Sequence, residues 1–548
     1  MSVRALLLLV IMGIAQVLSR ITLAETTPRQ PAISIVLGKA APLPLRFAAS
    51  ELAKYAALMG NAKPGLVQAP QAGDICLGLL PPNLPAEVLR EIESDLRGKD
   101  PDSFIIRSEG RRLIIYGCSA RAVLYGTYHY LESLGVRWYF PGHENEIIPH
   151  AELKLSGYDI KQVPCFHKRG IVVFSTTPGF EDLVEFAAKL KLNTIGLHAP
   201  PYGPQTSDVG VDFASKVAAP RGLEVDVERH LFGEGFCPDD KSRLNLERKV
   251  LTNYVSQLPP SINDFFLWPA DKFLAPCASA RYRDYSVSDL VLWFANQMLA
   301  TLRQSRPQAR FAFLSYLSTW NPPTRERPSP GLILEWAPMF QSFAHPLDDP
   351  ASTTNAEYRG DFEKLLSIFK PENSQVLGYW LDDTLFSRTR YGHLPYSPTA
   401  LQGDLAYYFR KGVPAITTFG VITGRDYFAS HASPAVFLYP RLLWDVDTDV
   451  RPLMRDFCRD YFGTDRALDV FDSLARADSM VYVEKHRTQT GRLNDPAFAA
   501  EVSKALRLAG DLLESQTAPQ RRAWAARLVQ EVASRFLISS PVTHTNPE

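Results

Sequence analysis

Four acidic residues in the second half of the chain sit among aromatic side chains in a pattern that suits acid–base chemistry. They are Asp271 in Trp268-Pro269-Ala270-Asp271-Lys272, Glu335 in Leu334-Glu335-Trp336, and the pair Asp382-Asp383 behind Tyr379-Trp380. Breaking a glycosidic bond needs one protonated carboxyl to donate to the leaving oxygen. A second, ionised carboxyl then activates water or attacks the sugar. Flat Trp and Tyr rings complement the apolar C–H face of a pyranose, so Trp268, Tyr316, Trp336, Tyr379 and Trp380 are candidate subsite walls. Each acid also has an ordinary structural use. Asp382 or Asp383 could cap the following segment, Glu335 could pair with a buried arginine, and Asp271 could pair with Lys272 in solvent.

His198 and His230 are candidates for hydrogen bonding sugar hydroxyls, and equally for satisfied histidines at a strand end. Two histidines with a carboxylate meet the minimum for a metal site, but neither HxH nor HExxH spacing occurs. No metal and no cofactor is therefore expected. The six cysteines, Cys76, Cys118, Cys165, Cys237, Cys277 and Cys458, contain no CxxC pair. One or two disulfides are compatible with an oxidising compartment, and isolated thiols account for most of the cysteines.

These residues can act together only if a fold brings them to one place. From Phe166 onward, short apolar or alternating strands are separated by helical patterns. Strands are expected at 169–174, 194–198, 223–231, 264–268, 310–317, 332–336, 375–380 and 415–419. Eight strands in about 250 residues, mostly separated by helices, predict a (β/α)8 barrel over 165–450. A doubly wound open sheet would call for a glycine-rich loop after the first strand, and Phe174-Ser-Thr-Thr-Pro-Gly-Phe180 is not one. In such a barrel the C-terminal strand ends form the catalytic mouth, which is where the acids and aromatics fall.

Ahead of the barrel, strands and helices over 30–160 predict a small α/β sandwich, with 149–164 as the linker. Its last part, 117–149, places a helix with Ala122, Leu124, Tyr125, Tyr128, Leu131 and Leu134 on its apolar positions before Gly135. The aromatic turn Trp138-Tyr139-Phe140 and the polar group His143 to Glu146 follow. That arrangement fits either a sugar-binding edge or a packed helix with a wet turn. Residues 451–538 read as helical, with Leu506, Leu512, Leu513, Trp524, Leu528 and Val532 marking helix faces. The overall class is α/β: a sandwich, a TIM-like barrel and a helical C-terminal segment.

The chain has 548 residues, enough for two or three domains, and Lys plus Arg balances Asp plus Glu at 59 each. That balance gives no general electrostatic case for nucleic acid or an anionic membrane surface. Arg4, the apolar run from Ala5 to Leu18 and the small residues near Ala24 read as a secretory signal over 1–24. A secreted or periplasmic location is expected, without stable membrane insertion once the signal is cleaved. The oligomeric state is not legible.

Two groups of motifs carry a resemblance. FAASELAKYAALMG with GCSARAVLYGTYHYLESLGVRWYFPG resembles the non-catalytic domain preceding the barrel in alpha-glucuronidases and beta-hexosaminidases. FFLWPADKFLAPC, FAFLSYLSTWNPP, LILEWAPMFQSFAHPLDDP and YWLDDTLF are similar to the bacterial family called domain of unknown function 4838, over roughly 32–465 in all. The resemblance implies an exported carbohydrate-active protein related to alpha-glucuronidases of glycoside hydrolase family 67. Asp271 or Glu335 would be the acid and Asp382 or Asp383 the base or nucleophile, with Lys272 or Arg388 pairing a substrate carboxylate. The adjacent Asp-Glu pair of hexosaminidases is absent, because Lys272 follows Asp271. Close cysteines often found near this position reduce here to Cys277 alone, which argues against a disulfide or metal there. A carbohydrate-binding protein on a degenerate barrel is the alternative, and a lyase or metal-dependent enzyme a third.

Overall fold

The computed structural model describes residues 33–68, 74–78, 86–174, 177–199, 209–382, 393–420, 425–481 and 495–538. Asp383, Arg388 and the expected signal segment lie outside them. Among the described residues no helix is long and apolar enough to cross a membrane.

The N-terminal sheet contains β1 (Ser34–Val36), β2 (Gly65–Val67), β3 (Ile75–Gly78), β4 (Phe104–Glu109), β5 (Arg112–Gly117) and, at its edge, β8 (Asp159–Gln162). Its order is β2-β1-β3-β5-β4-β8, and the short strands β6 (Arg137–Trp138) and β7 (Glu146–Ile147) form a separate ribbon. Helices α1 (Leu43–Leu58), α2 (Ala86–Leu96) and α3 (Ala120–Ser133) connect these strands. Ser119 caps α3 by accepting from the Ala122 N–H. Gly117 permits the tight strand-to-helix turn, since a Cβ there would lie 2.6 Å from that of Ala122. The expected linker is in part β8, paired antiparallel with β4. Its polarity reflects a sheet edge rather than a tether, because alternate residues face solvent.

The turn after α3 is a packing element. Trp138, Tyr139 and Phe140 are all buried. The Trp138 indole donates to the Tyr55 hydroxyl, while Tyr139 and Phe140 meet Phe437, Phe457 and Tyr461 edge-on. Behind them, the Glu146 carboxylate accepts from Tyr55 and from Lys189 on the barrel's first helix. The turn therefore joins the sandwich to the rest of the chain, and its rings are not available to a sugar.

The second unit is a closed parallel barrel of β9 (Lys168–Phe174), β10 (Thr194–Ala199), β11 (Glu224–His230), β12 (Asp264–Trp268), β13 (Arg310–Ser315), β14 (Leu332–Trp336), β15 (Ser374–Gly378) and β16 (Ala415–Phe419). Pairing of β16 with β9 closes it. The intervening helices are α4 (Phe180–Lys189), α5 (Val209–Ala218), α6 (Lys241–Val255), α7 (Val287–Leu302), α8 (Thr353–Phe369) and α9 (Pro398–Arg410), with α10 (Arg425–Ser430) and α11 (Ala435–Trp444) after the last strand. The expected fold class is the one observed. Successive strand residues face opposite sides. Phe313 and Trp336 pack outward on Phe369 and Phe362 of α8, whereas Glu335 faces the barrel interior. The chain ends in α12 (Val450–Phe462), α13 (Leu468–Val481), α14 (Pro496–Ser515) and α15 (Pro519–Ile538), with Trp524 stacked on Tyr461.

Candidate active site

At the C-terminal end of the barrel, side chains from the ends of five strands, β10, β11, β12, β15 and β16, form an aromatic floor. Trp268, the last residue of β12, lies 5.0 Å from the His230 ring and 5.7 Å from that of His198. Phe419 at the end of β16 touches both His198 and Tyr379, each at 5.4 Å between ring centroids. The sequence reading found His198, His230, Trp268 and Tyr379 but missed Phe419, which looks like any apolar residue ending a buried strand.

Burial holds both histidines toward the neutral form. Burial, reinforced by the neighbouring His230, pulls His198 down to about 3, and its Nδ1 has no hydrogen-bond partner. Burial also lowers His230, whose Nδ1 lies 2.5 Å from the Pro269 carbonyl oxygen. As the hydrogen-bonding tautomer, His230 holds its proton on Nδ1 and leaves Nε2 as an acceptor.

Two of the four expected acids border this floor. Asp271 is exposed and accepts from the Tyr316 hydroxyl at 3.1 Å. Asp382, just past β15, is buried. Tyr379 lies within electrostatic reach of both, and of Tyr316 and Glu335. Burial first, then those groups, hold its hydroxyl far above the ordinary tyrosine range. Asp383 lies outside the described residues. Lys272 is paired with Glu234, both exposed, so its charge is partly neutralised.

Glu335 stands elsewhere. It is fully buried beneath the floor: Trp268 Nε1 donates to its Oε2 at 2.6 Å, and Gln375 Nε2 donates to its Oε1 at 3.2 Å. It does not open onto the mouth, because β14 runs one residue past it and the indole covers it. Trp336 and Trp380 are also not mouth residues. Trp336 lies against Phe362 and Tyr358, and the Trp380 indole packs near Tyr439 and Tyr408 while donating to buried Asp404 at 3.1 Å. Adjacent residues of a strand face opposite sides, so within β14 Glu335 turns inward and Trp336 outward.

The interior below the floor is polar. Lys168 pairs with Asp226 and donates to Gln375 Oε1, and Gln375 reaches Thr417. Glu228 is fully buried with neither carboxylate oxygen hydrogen-bonded. It fits because Gly196 leaves room, where a Cβ would lie 2.6 Å from Glu228 Oε1. Burial raises both Glu228 and Glu335, and the Glu335 charge raises Glu228 further. Burial holds both carboxyls toward the protonated form, and the N–H donors of Trp268 and Gln375 offset it only at Glu335. A signal for this layer was present: Glu224, Asp226, Glu228 and His230 alternate along one strand, so all face one side.

A disulfide joins Cys237, in the loop after β11, to Cys277, in the loop after β12. The expectation that Cys277 stands alone is corrected, because the two loops are neighbours in space although 40 residues apart in sequence. His143, Glu146 and Glu185 offer ligand atoms within 4.8 Å of one another. The Lys189 ammonium already occupies that cluster, 2.6 Å from each glutamate.

A family model described as a domain of unknown function (DUF4838) matches residues 275–471, a shorter stretch than the motif resemblance suggested. No curated protein sequence matches the chain. Among solved structures, the chain is similar to a GH138 enzyme targeting pectin rhamnogalacturonan II, with a TM-score of 0.60 and 10% identity over 92% of this chain and 69% of that one. It is also similar to a GH115 4-O-methyl-alpha-glucuronidase with specificity for decorated arabinogalactans, with a TM-score of 0.58 and 13% identity over 93% and 72%. A third, CpGH84B, gives a TM-score of 0.53 and 12% identity over 93% and 86%. At these identities the shared property is the fold: a sandwich, a barrel and the helices that follow.

Proposed function

We propose that the protein is an exported glycoside hydrolase acting on oligo- or polysaccharide fragments that carry uronic acid units. The observation that supports this reading is that Asp271 and Asp382 both act electrostatically on Tyr379, whose ring joins the aromatic cluster at the C-terminal end of a closed barrel. In this reading one of the two carboxyls protonates the leaving oxygen and the other activates water or attacks the sugar. Asp383 is retained as an alternative to Asp382. His230 offers its Nε2 to sugar hydroxyls, with His198 packed beside it in the same floor.

The uronic acid preference rests on two supports. The GH115 neighbour is a glucuronidase by description, in keeping with kinship to family 67 alpha-glucuronidases. Lys272 stands one residue from Asp271, so a substrate carboxylate would displace Glu234 from it. Export rests on the expected signal over 1–24 and on the Cys237–Cys277 disulfide, which persists in an oxidising compartment.

A carbohydrate-binding role without catalysis is the second reading. Burial of Glu335 under Trp268 favours it, since one of the expected acids cannot touch a sugar unless the indole moves. Sugar release from a panel of uronide and neutral glycosides separates the two. Hydrolysis predicts turnover that Asp271→Asn and Asp382→Asn abolish while binding persists. Binding without turnover, unchanged by either amide, would establish the second reading.

A further inference from the structure

The loop between β12 and α7 spans 269–286 without regular structure, yet it is held at closely spaced points. Tyr316 donates to Asp271, Lys272 pairs with Glu234, the Leu274 N–H donates to Ser318 Oγ at 2.8 Å, and Cys277 is bonded to Cys237. Further on, Ser279 Oγ donates to Asp239. A loop of this length fixed so heavily is usually functional. In the middle of the anchors, Phe273 is 66% exposed, more than any other large hydrophobic residue among those described. A free loop would fold such a ring under itself, because leaving it in water forgoes apolar burial. Here both neighbours are tied to other loops, so the ring is held in solvent.

Phe273 stands two residues from Asp271, which sets its Cα at most about 7 Å from the Asp271 Cα, close enough for the ring to meet a sugar next to the one at Asp271. We infer that Phe273 is the platform of an outer subsite, stacking on the C–H face of the sugar adjoining the one in the mouth. It would make the protein select oligosaccharides over single glycosides. The inference rests on the glycosidase reading above and narrows its substrate class to chains of at least two sugar units. The disulfide and the Leu274–Ser318 hydrogen bond supply the rigidity, so little entropy is lost when a sugar lands.

The test measures binding of wild type, Phe273→Ala and Phe273→Trp to an array of uronic-acid-containing and neutral mono- and oligosaccharides, followed by calorimetry on those that bind. The inference predicts that wild type prefers oligosaccharides. In Phe273→Ala the ratio of oligosaccharide to monosaccharide affinity should fall about tenfold, and in Phe273→Trp it should be restored. A ratio within twofold of wild type in Phe273→Ala would overturn the subsite while leaving the glycosidase reading intact. Absence of binding by wild type to every sugar would overturn both.

Discussion

The Trp268 indole nitrogen donates to a carboxyl oxygen of Glu335 at 2.6 Å, and through that bond a buried side chain sets the pose of the ring that floors the mouth. Trp268 in turn touches His198, His230 and Phe419. Glu335 is thus a positioning residue in this geometry, one shell beneath any substrate. Leaving a buried donor such as this indole N–H unpaired costs about 1–3 kcal/mol, enough to hold one rotamer of a large ring.

Glu335→Gln tests that role. The new amide presents one donor to Trp268 or to Gln375, where a carboxylate accepted from both. The expected outcome is a stability loss of about 1–3 kcal/mol by urea unfolding and a severalfold rise in KM, with kcat within about tenfold of wild type. A fall in kcat of about a thousandfold at constant KM would instead make Glu335 the acid itself.

The sandwich and barrel are joined by a buried ion pair. Arg169 at the start of β9 and Asp102 ahead of β4 are both fully buried and 2.6 Å apart, with Arg121 and Asn193 donating to the same carboxylate. Asp102→Asn leaves Arg169 charged and short of an acceptor. A loss of about 3–5 kcal/mol is expected from breaking such a pair. Asp102→Asn with Arg169→Met should recover part of it. A single variant that unfolds at the wild-type denaturant concentration would remove this pair from the account of the interface.

Acid should weaken the same interface. Glu132 on α3 pairs with Lys191 and Arg441. Burial alone would raise its pKa, but the two cations, with His129, outweigh it and hold the carboxyl at about 2 rather than 4.5. A folded-state value below the unfolded one contributes stability that is complete above about pH 5 and lost as pH falls towards 2. The contribution is at most about 3 kcal/mol. Glu185 and Glu531, each also held at about 2, act in the same direction. Unfolding free energy measured from pH 6 down to pH 3 should fall, and Glu132→Gln should flatten that slope. An unchanged slope in the variant would sink the assignment.

Much of this was legible beforehand because periodicity reports burial directly. All eight barrel strands fall within a few residues of where alternation and β-branching placed them, and the rings of His198, His230, Trp268 and Tyr379 lie in one cluster with Phe419. What failed was side-chain direction. Glu335 and Trp336 read as one motif along the chain, yet the strand sends one inward and the other to α8. Long-range partners were equally hidden. Nothing local in Asp102 announces Arg169, and Cys237 and Cys277 become neighbours only once β11 lies beside β12.

That disulfide yields the last prediction. It closes a loop of 40 residues between two mouth segments, and loop-closure entropy gives a stabilisation of about 4 kcal/mol as an upper value. The remaining cysteines supply an internal control. Cys118 is exposed and Cys165 partly so, whereas Cys76 and Cys458 are buried; burial raises the thiol pKa of all four, so access decides the order. In the native oxidised protein a thiol reagent should label Cys118 first, Cys165 more slowly, and neither Cys76 nor Cys458. Mild reduction should add Cys237 and Cys277, lower the unfolding midpoint and loosen the loop that carries Asp271. Turnover should then fall together with stability in Cys237→Ser and in Cys277→Ser. Full activity in both variants would mean that the mouth keeps its shape without the bond, leaving the Tyr316–Asp271 and Leu274–Ser318 contacts as sufficient anchors.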